Sequence, residues 1–150
     1  MMNEAGISEI HDAALQRLQL ADQRYTYNRR KLVQALHDAD DPQTIAQLIT
    51  TTSGLAQSST YRNLSVLEDA AVVHRIVTGD DHARFELTED MTGTHHHHLV
   101  CTDCGDVLDI ALSRELEDLL HTELAAGAAD RSFQGEHHRI DLMGRCATCI

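Results

Sequence analysis

HHHHLVCTDCG, residues 95–105, sets four consecutive histidines directly before a short apolar run and a pair of cysteines two residues apart. A second pair follows in CATC, residues 146–149. Two intervening residues let both thiolates of a pair face one tetrahedral cation, and two pairs complete a closed shell of four sulfur ligands. The spacing therefore predicts a structural zinc site made of Cys101, Cys104, Cys146 and Cys149. A redox pair would account for one CxxC motif and leave the other without a role.

The histidine run adjoins LVC at 99–101, whose composition is typical of a β-strand. In extended backbone, alternate side chains face opposite sides. We therefore expect His96 and His98 on one side and His95 and His97 on the other, so that one segment can contribute to two separate metal sites. A metal-binding loop without defined sites is the alternative that this pattern alone leaves open.

The residues around this stretch predict a small α/β domain over 95–150. VLDI at 107–110 and RIDLM at 139–143 have the composition of strands, and leucines recur at helical spacing through 112–126. The polar residues 88–94, TEDMTGT, predict a hinge before this domain.

The first half predicts helices followed by a β-hairpin. The apolar spacing is helical in four segments: 13–20, 26–39, 42–51 and about 58–71. Two β-rich runs, 72–77 and 83–87, are joined by the turn sequence TGDDH. Helices followed by a hairpin indicate a winged helix over residues 1–87, so the whole chain is expected to be α+β.

The charge of the 150-residue chain is −12, which by itself disfavours nucleic acid as a partner. The acidity is concentrated in the second half. Residues 1–85 carry 8 basic and 11 acidic side chains, against 4 and 13 in residues 86–150. No run approaches the roughly 20 apolar residues of a membrane span, and the first residues lack the features of a signal peptide. We therefore expect a cytoplasmic protein without a membrane partner, in which thiols stay reduced.

An enzymatic alternative comes from His121 and Glu123, which precede Cys146 and Cys149 much as in zinc deaminases. Arg145 stands where that pattern requires proline, and the first cysteine pair would have no role. The sequence therefore predicts no enzyme. A cytosolic zinc buffer is a further alternative, although such a protein would not need a winged helix.

Several motifs together resemble the ferric uptake regulator family: FELT at 85–88, the HHHHLVCTDCG stretch and the closing CATC. STYRNL at 59–64 is similar to the recognition helix of that family, and Thr26 and Arg29 match its TxxR element. The resemblance covers roughly residues 12–149. It implies a metal-dependent repressor that forms a homodimer through its second domain and binds a pseudo-palindromic operator in double-stranded DNA.

The resemblance also implies the roles of individual ligands. Cys101, Cys104, Cys146 and Cys149 would hold the structural Zn²⁺. Glu86, His96 and His98 would bind the regulatory metal at the hinge. His95, His97, Glu117 and His138 would form a second site inside the dimerisation domain, with Glu115 as a rival for Glu117.

The regulatory site departs from the family pattern in one place. Iron-type members have a histidine near the start of the third helix, where this chain has Asp41 and Pro42. Zinc-type members supply an aspartate from the position of His74 in the first wing strand. We therefore nominate His74 as the fourth ligand, with His37 in reserve.

The identity of the regulatory metal depends on Glu86. Zinc-sensing members commonly have cysteine at this position and peroxide-sensing members aspartate. A purely nitrogen and oxygen set suits Fe²⁺ or Mn²⁺ better than a set containing thiolate, although Zn²⁺ binds such ligands well. Ferrous iron is slightly favoured, and a zinc-sensing regulator of the same family is the alternative.

The resemblance places helix 58–71 in the major groove of DNA. The residues expected to contact DNA are Arg29, Arg30, Ser59, Thr60, Tyr61 and Arg62. The two arginines near the second helix would contact phosphates, whereas Arg62 could contact a phosphate or a base edge.

Overall fold

The computed structural model describes residues 6–78 and 82–150, so the middle of the expected hairpin turn lies outside the described residues. The elements along the chain are α1 (Ile7–Leu20), α2 (Tyr27–Asp38), β1 (Gln43–Thr44), α3 (Ile45–Thr52), α4 (Gln57–Asp69), β2 (Val73–Val77), β3 (Ala83–Leu87), α5 (Glu89–Thr92), β4 (His97–Cys101), β5 (Val107–Ile110), α6 (Arg114–Asp130) and β6 (Asp141–Gly144). Among the described residues, no helix is long and apolar enough to cross a membrane.

The first half folds as a winged helix. Helices α1 to α4 surround one apolar core, in which Leu32, Leu48 and Leu64 are fully buried. Strands β2 and β3 form an antiparallel hairpin, and β1 pairs with the other edge of β3. His74 lies directly opposite Glu86 in the hairpin register. The expected α+β architecture is therefore confirmed for this half.

Helix α3 begins at Ile45, later than the start at Pro42 that the sequence indicated. The Thr44 hydroxyl accepts a hydrogen bond from the Gln47 backbone N–H at 3.2 Å, and the Gln47 side chain accepts one from the Thr44 N–H at 2.8 Å. This reciprocal capping box fixes the first turn of the helix. The two residues before α3 pair with β3 as the short strand β1 instead.

The second half is a three-stranded sheet with one helix. Strand β4 lies in the centre, antiparallel to β5 and parallel to β6, and α6 connects the two outer strands. Val100 and Val107 from this sheet pack with Ile76 of β2 in a small buried cluster that joins the two halves. Helix α6 buries no residue within the single chain.

The segment expected to be a hinge contains the short helix α5. Gly93 ends this helix with a left-handed φ of 73°, a conformation that glycine adopts without strain. Met91 is buried in the core of the first half, and Arg17 of α1 donates a hydrogen bond to the Asp90 carboxylate at 2.7 Å. The segment is therefore packed against the winged helix along much of its length.

Candidate metal centres

The four cysteines come together at the end of the second sheet; we call them the cysteine cluster. Cys101 ends β4, Cys104 follows in the turn to β5, and the other two cysteines follow β6. Their sulfur atoms lie within 4.8 Å of one another, and the Sγ atoms of Cys104 and Cys146 are 3.7 Å apart. Tetrahedral zinc with Zn–S bonds of about 2.3 Å sets its sulfur ligands about 3.8 Å apart. The spacing fits a closed zinc site and is far too long for a disulfide bond.

The backbone around the cysteine cluster stabilises thiolate. Backbone N–H groups of Cys104 and Cys146 lower the pKa of the Cys101 thiol to about 6. A hydrogen bond between the thiol of Cys149 and the neighbouring Cys146 raises the pKa of Cys149 to about 12. A divalent cation would displace the remaining thiol protons and hold all four sulfurs as thiolates.

A second group, the inner cluster, consists of His95, His97, Glu117 and His138. His97 Nε2 lies 2.8 Å from Glu117 Oε1, and His138 Nε2 lies 3.2 Å from Glu117 Oε2. His95 Nε2 is 3.1 Å from His138 Nε2. At that distance two neutral imidazoles would repel each other if both nitrogens presented lone pairs. Three ring nitrogens and a carboxylate that converge in this way match the donor set of a divalent transition metal.

A third group, the junction cluster, consists of Glu86, His96, His98 and Asp109. His96 Nε2 lies 2.9 Å from Glu86 Oε2, and His98 Nε2 lies 3.3 Å from Glu86 Oε1. Asp109 completes the set at 3.6 Å from His96 Nε2 and 3.7 Å from His98 Nε2. Glu86 belongs to the wing hairpin, His98 and Asp109 belong to the second sheet, and His96 directly precedes β4, so the cluster spans the two halves of the chain.

Protons hold the junction cluster together when no cation does. Burial raises the pKa of Glu86, but hydrogen bonds from His96 and His98 outweigh that effect and lower it to about 2. The hydrogen bond to Glu86 raises the pKa of His96 to about 9. Burial raises the pKa of Asp109 to about 6. A divalent cation would have to displace the histidine protons in order to bind.

Residues behind the ligands fix the orientation of the rings. His98 Nδ1 lies 3.4 Å from Asp141 Oδ1, and His95 Nδ1 lies 2.8 Å from Glu89 Oε2. A carboxylate at Nδ1 directs the lone pair of Nε2 towards the cluster. His97 Nδ1 is buried and has no hydrogen-bond partner among the described residues.

The structure brings together the expected histidines on the expected sides of β4, but it does not place His74 or His37 in the junction cluster. His74 is exposed on β2 and lines a cleft together with Glu86, His96 and His98. His37 lines a second cleft, which Glu86, His96 and Asp109 also line. Asp109 is the fourth member of the junction cluster, and the sequence motifs do not predict it. Glu117, rather than Glu115, faces the inner cluster.

Asp109 could have been found from the strand pattern. It lies directly opposite His98 in the β4–β5 register, and directly opposite residues of a β-ladder face the same side of the sheet. An aspartate in the otherwise apolar VLDI was the available signal. Asp41 stands near the position at which iron-type members have a histidine. Its Oδ1 atom accepts a hydrogen bond from the Asp109 backbone N–H at 2.9 Å.

The residues expected to contact DNA differ in their accessibility. Tyr61 and Arg62 are exposed near the start of α4, and Arg30 is exposed on α2 over the ring of Tyr25. Ser59 is half-buried. Arg29 is partly buried and donates to the Asn63 side chain at 3.1 Å, which leaves it less free than expected.

Thr60 requires a correction, because its side chain is fully buried and cannot contact DNA. Its hydroxyl donates to the Ala56 carbonyl at 3.0 Å within the first turn of α4. The helical spacing sends this residue to the core side of the helix, together with Leu64 and Leu67.

The chain is similar to known proteins in both sequence and structure. The family model described as Ferric uptake regulator family matches residues 21–143. The ferric uptake regulation protein of Bacillus subtilis is 36% identical over 96 residues, which are 64% of this chain and 60% of that protein. The ferric uptake regulation protein of Shigella flexneri is 29% identical over 135 residues, 87% of this chain and 86% of that protein.

The solved structures agree with these sequence matches. The Vibrio cholerae ferric uptake regulator superposes with a TM-score of 0.68 at 28% identity, over 88% of this chain and 98% of that one. The Helicobacter pylori ferric uptake regulator superposes with a TM-score of 0.74 over 99% and 97%, and at 18% identity this likeness concerns the fold. The matched range of the family model shows that the chain belongs to the ferric uptake regulator family.

Proposed function

We propose that this protein is a metal-dependent DNA-binding transcriptional repressor that acts as a homodimer. The observation that carries the proposal is the junction cluster, because its donors come from both halves of the chain. Glu86 lies on the wing of the first half, whereas His98 and Asp109 lie on the second sheet and His96 directly precedes β4. A cation held by all four would restrict how the two halves are oriented.

The switch follows from this connection. A divalent cation would supply positive charge that neutralises two carboxylates and replaces the protons on the histidines. Its ligands would then hold wing strand β3 against β4 and β5. A cation that binds better to the orientation competent for DNA shifts the population towards it, and DNA tightens cation binding by the same factor.

The three clusters have different proposed roles. The cysteine cluster is a structural zinc site with no open position. The inner cluster lies within the second half, apart from the wing, and we assign it to the stability of that half. The junction cluster is the regulatory site, with Asp109 in place of His74 as the fourth ligand.

Ferrous iron remains slightly favoured as the regulatory metal. The junction cluster offers two imidazoles and two carboxylates without thiolate, a set that suits Fe²⁺ and Mn²⁺. The Bacillus and Shigella relatives are named for ferric uptake regulation. A structure described as a zinc-bound manganese uptake regulator superposes with a TM-score of 0.64 at 25% identity, over 92% of this chain and 98% of that one, which keeps Mn²⁺ and Zn²⁺ as alternatives.

The DNA surface in this proposal is the exposed side of α4 with the adjoining part of α2. Tyr61 and Arg62 would enter the major groove, and Arg30 would contact a phosphate. Dimerisation would present two such surfaces to a pseudo-palindromic operator. The partner for the exposed leucines of α6 would be a second copy of the chain.

An operator-binding titration tests the proposal. Zinc-containing protein selects duplexes from a random library in the presence of added Fe²⁺, Mn²⁺ or Zn²⁺, and its affinity for the selected duplex is then measured anaerobically with and without each buffered metal. We expect one of these metals to tighten binding by roughly 5- to 150-fold. Affinity that is the same with and without added metal would contradict metal dependence. Failure to enrich any duplex would favour the zinc-buffer alternative.

A further inference from the structure

Glu89 contacts a histidine from each of the two histidine-containing clusters, and no other described carboxylate does so. Its Oε2 atom lies 2.8 Å from His95 Nδ1, on the side of the ring away from the inner cluster. Its Oε1 atom accepts a hydrogen bond from the His96 backbone N–H at 3.1 Å and lies 3.7 Å from His96 Nδ1. Each oxygen of one carboxylate therefore supports a ligand of a different cluster.

The contact with His95 determines how that ring presents its other nitrogen, whereas Oε1 holds the backbone N–H of His96 and lies too far from His96 Nδ1 for a hydrogen bond. A carboxylate at Nδ1 holds the Nδ1 proton and leaves the Nε2 lone pair free for a cation. His95 Nε2 faces the inner cluster, and His96 Nε2 faces Glu86 and Asp109 of the junction cluster. Glu89 is thus in position to orient the His95 ring in one site and to hold the backbone that carries His96 in the other.

The backbone around Glu89 is anchored to the winged helix. Glu89 begins α5, in which Met91 is buried in the core of the first half. The next residue, Asp90, accepts a hydrogen bond from Arg17 of α1. The carboxylate therefore links the histidine run to the winged helix at a point separate from Glu86.

We infer that Glu89 is a positioning residue that couples the two histidine clusters. A cation in the inner cluster withdraws charge from His95 and strengthens its Nδ1–H hydrogen bond to Glu89 Oε2. The ordered carboxylate then holds Oε1 against His96, so the junction cluster binds its own cation more tightly. Coupling of this kind is reciprocal, so occupation of either cluster favours the other. The inference rests on the proposed function, because it takes both clusters to be cation sites.

A double-mutant cycle with Co²⁺ as the probe tests the coupling. Co²⁺ is titrated into zinc-containing full-length protein, and binding is followed by calorimetry and by visible absorption. The Co²⁺-binding step that disappears in His97→Ala is assigned to the inner cluster. In wild type, His97→Ala is expected to weaken Co²⁺ binding at the junction cluster by about fivefold. Glu89→Gln alone is expected to weaken it by about tenfold. His97→Ala should then have no further effect at the junction cluster when it is added to Glu89→Gln.

Two further variants separate positioning from charge and from general structure. Glu89→Asp keeps the charge but shortens the side chain, so it should also abolish the coupling. Glu115→Gln removes the same charge from an exposed position of α6 that contacts none of the cluster histidines, and it should retain the fivefold effect of His97→Ala. Thermal stability and zinc content should be unchanged in all three variants, because Glu89 is 40% exposed and Glu115 is exposed.

The outcomes distinguish the inference from the function on which it rests. If His97→Ala weakens Co²⁺ binding at the junction cluster by the same factor in the wild-type and Glu89→Gln backgrounds, the inference is wrong. The proposal of a metal-dependent repressor is then unaffected. If the wild-type protein binds no Co²⁺ in addition to its structural zinc, both the inference and the proposed function are wrong. If Glu89→Asp keeps the coupling while Glu89→Gln loses it, the charge alone acts and positioning by two oxygens is contradicted.

Discussion

Asp109 illustrates how much a single residue depends on strand pairing. It lies on β5, opposite His98, and only the β4–β5 register brings it beside the histidines of the neighbouring strand. Sequence alone favoured His74, which is opposite Glu86 but exposed. We predict that Asp109→Asn weakens metal binding at the junction cluster by at least about tenfold, since the charged ligand is lost. Calorimetric titration with Mn²⁺ measures the change.

His74→Ala and His37→Ala are the matched variants for this prediction, because both histidines were candidates for the same position. Both should keep metal affinity within about twofold of wild type, as their rings are outside the cluster. A large loss in His74→Ala together with none in Asp109→Asn would restore the assignment made from sequence.

The protonation of His96 predicts a pH dependence of metal binding. The pKa of its ring rises from 6.5 to about 9 because Glu86 accepts its hydrogen bond. Between these pH values the metal-free protein keeps a proton that it would lose if unfolded, and a cation must displace that proton. Mn²⁺ affinity should therefore rise with pH, by up to about tenfold per unit for each displaced proton, and level off above about pH 9.

Proton release measured in two buffers of different ionisation enthalpy checks this directly. His96→Ala should bind Mn²⁺ more weakly and release fewer protons per cation. Affinity that stays constant from pH 6.5 to 9 would show that the histidines are already neutral before the metal binds.

The histidine alternation was readable from sequence because a strand has an exact period of two, which needs no knowledge of neighbours. The roles of Asp109 and Glu89 could not be predicted from sequence, since each residue acts through contact with another element. At this scale the sequence identified residues on the same element well and partners on other elements poorly.

At the scale of elements, the same contrast appears in α3 and α4. The apolar spacing predicts both helices, but α3 begins at Ile45 and not at Pro42, because Thr44 and Gln47 form a capping box and β1 pairs with β3. In α4 the period that placed Leu64 in the core also buries Thr60, which the family resemblance alone had assigned to DNA.

Helix α4 carries a prediction about DNA binding. Arg62 is exposed near the start of the helix, so Arg62→Ala should weaken binding to the selected duplex by roughly tenfold or more without changing zinc content. Fluorescence anisotropy at fixed salt measures the loss, because phosphate contacts depend strongly on ionic strength.

Thr60→Ala is the control within the same turn. It removes a buried hydroxyl, so it should lower the free energy of unfolding by about 1 kcal/mol and leave DNA affinity within about twofold once the protein is folded. Equal DNA affinity for Arg62→Ala and wild type would mean that another element reads the operator.

At the scale of the whole molecule, the second half is incomplete as a single chain. Helix α6 buries no residue, and Leu116, Leu119 and Leu124 are 42%, 56% and 50% exposed. Leu142 and Met143 of β6 are exposed as well. The leucine pattern indicates an amphipathic helix, and the structure shows that residues 6–78 and 82–150 leave its apolar side exposed.

We predict that Leu119→Glu raises the dissociation constant of the dimer by about 30-fold or more, because it places a charge in an apolar interface. Leu20→Glu makes the same substitution at a leucine that is 90% exposed on α1, and it should leave the dimer unchanged. Sedimentation equilibrium over a range of concentrations measures both variants against wild type.

The dimer prediction has a consequence for the operator that separates assembly from metal binding. A monomeric Leu119→Glu protein keeps all the residues of the three clusters, so its Mn²⁺ uptake should be close to that of wild type. Its affinity for the full palindrome should fall to that for a half-site, since the second winged helix is no longer linked to the first. If Leu119→Glu remains dimeric while Leu20→Glu dissociates, the two copies meet through the winged helix, and α6 must bind a different partner.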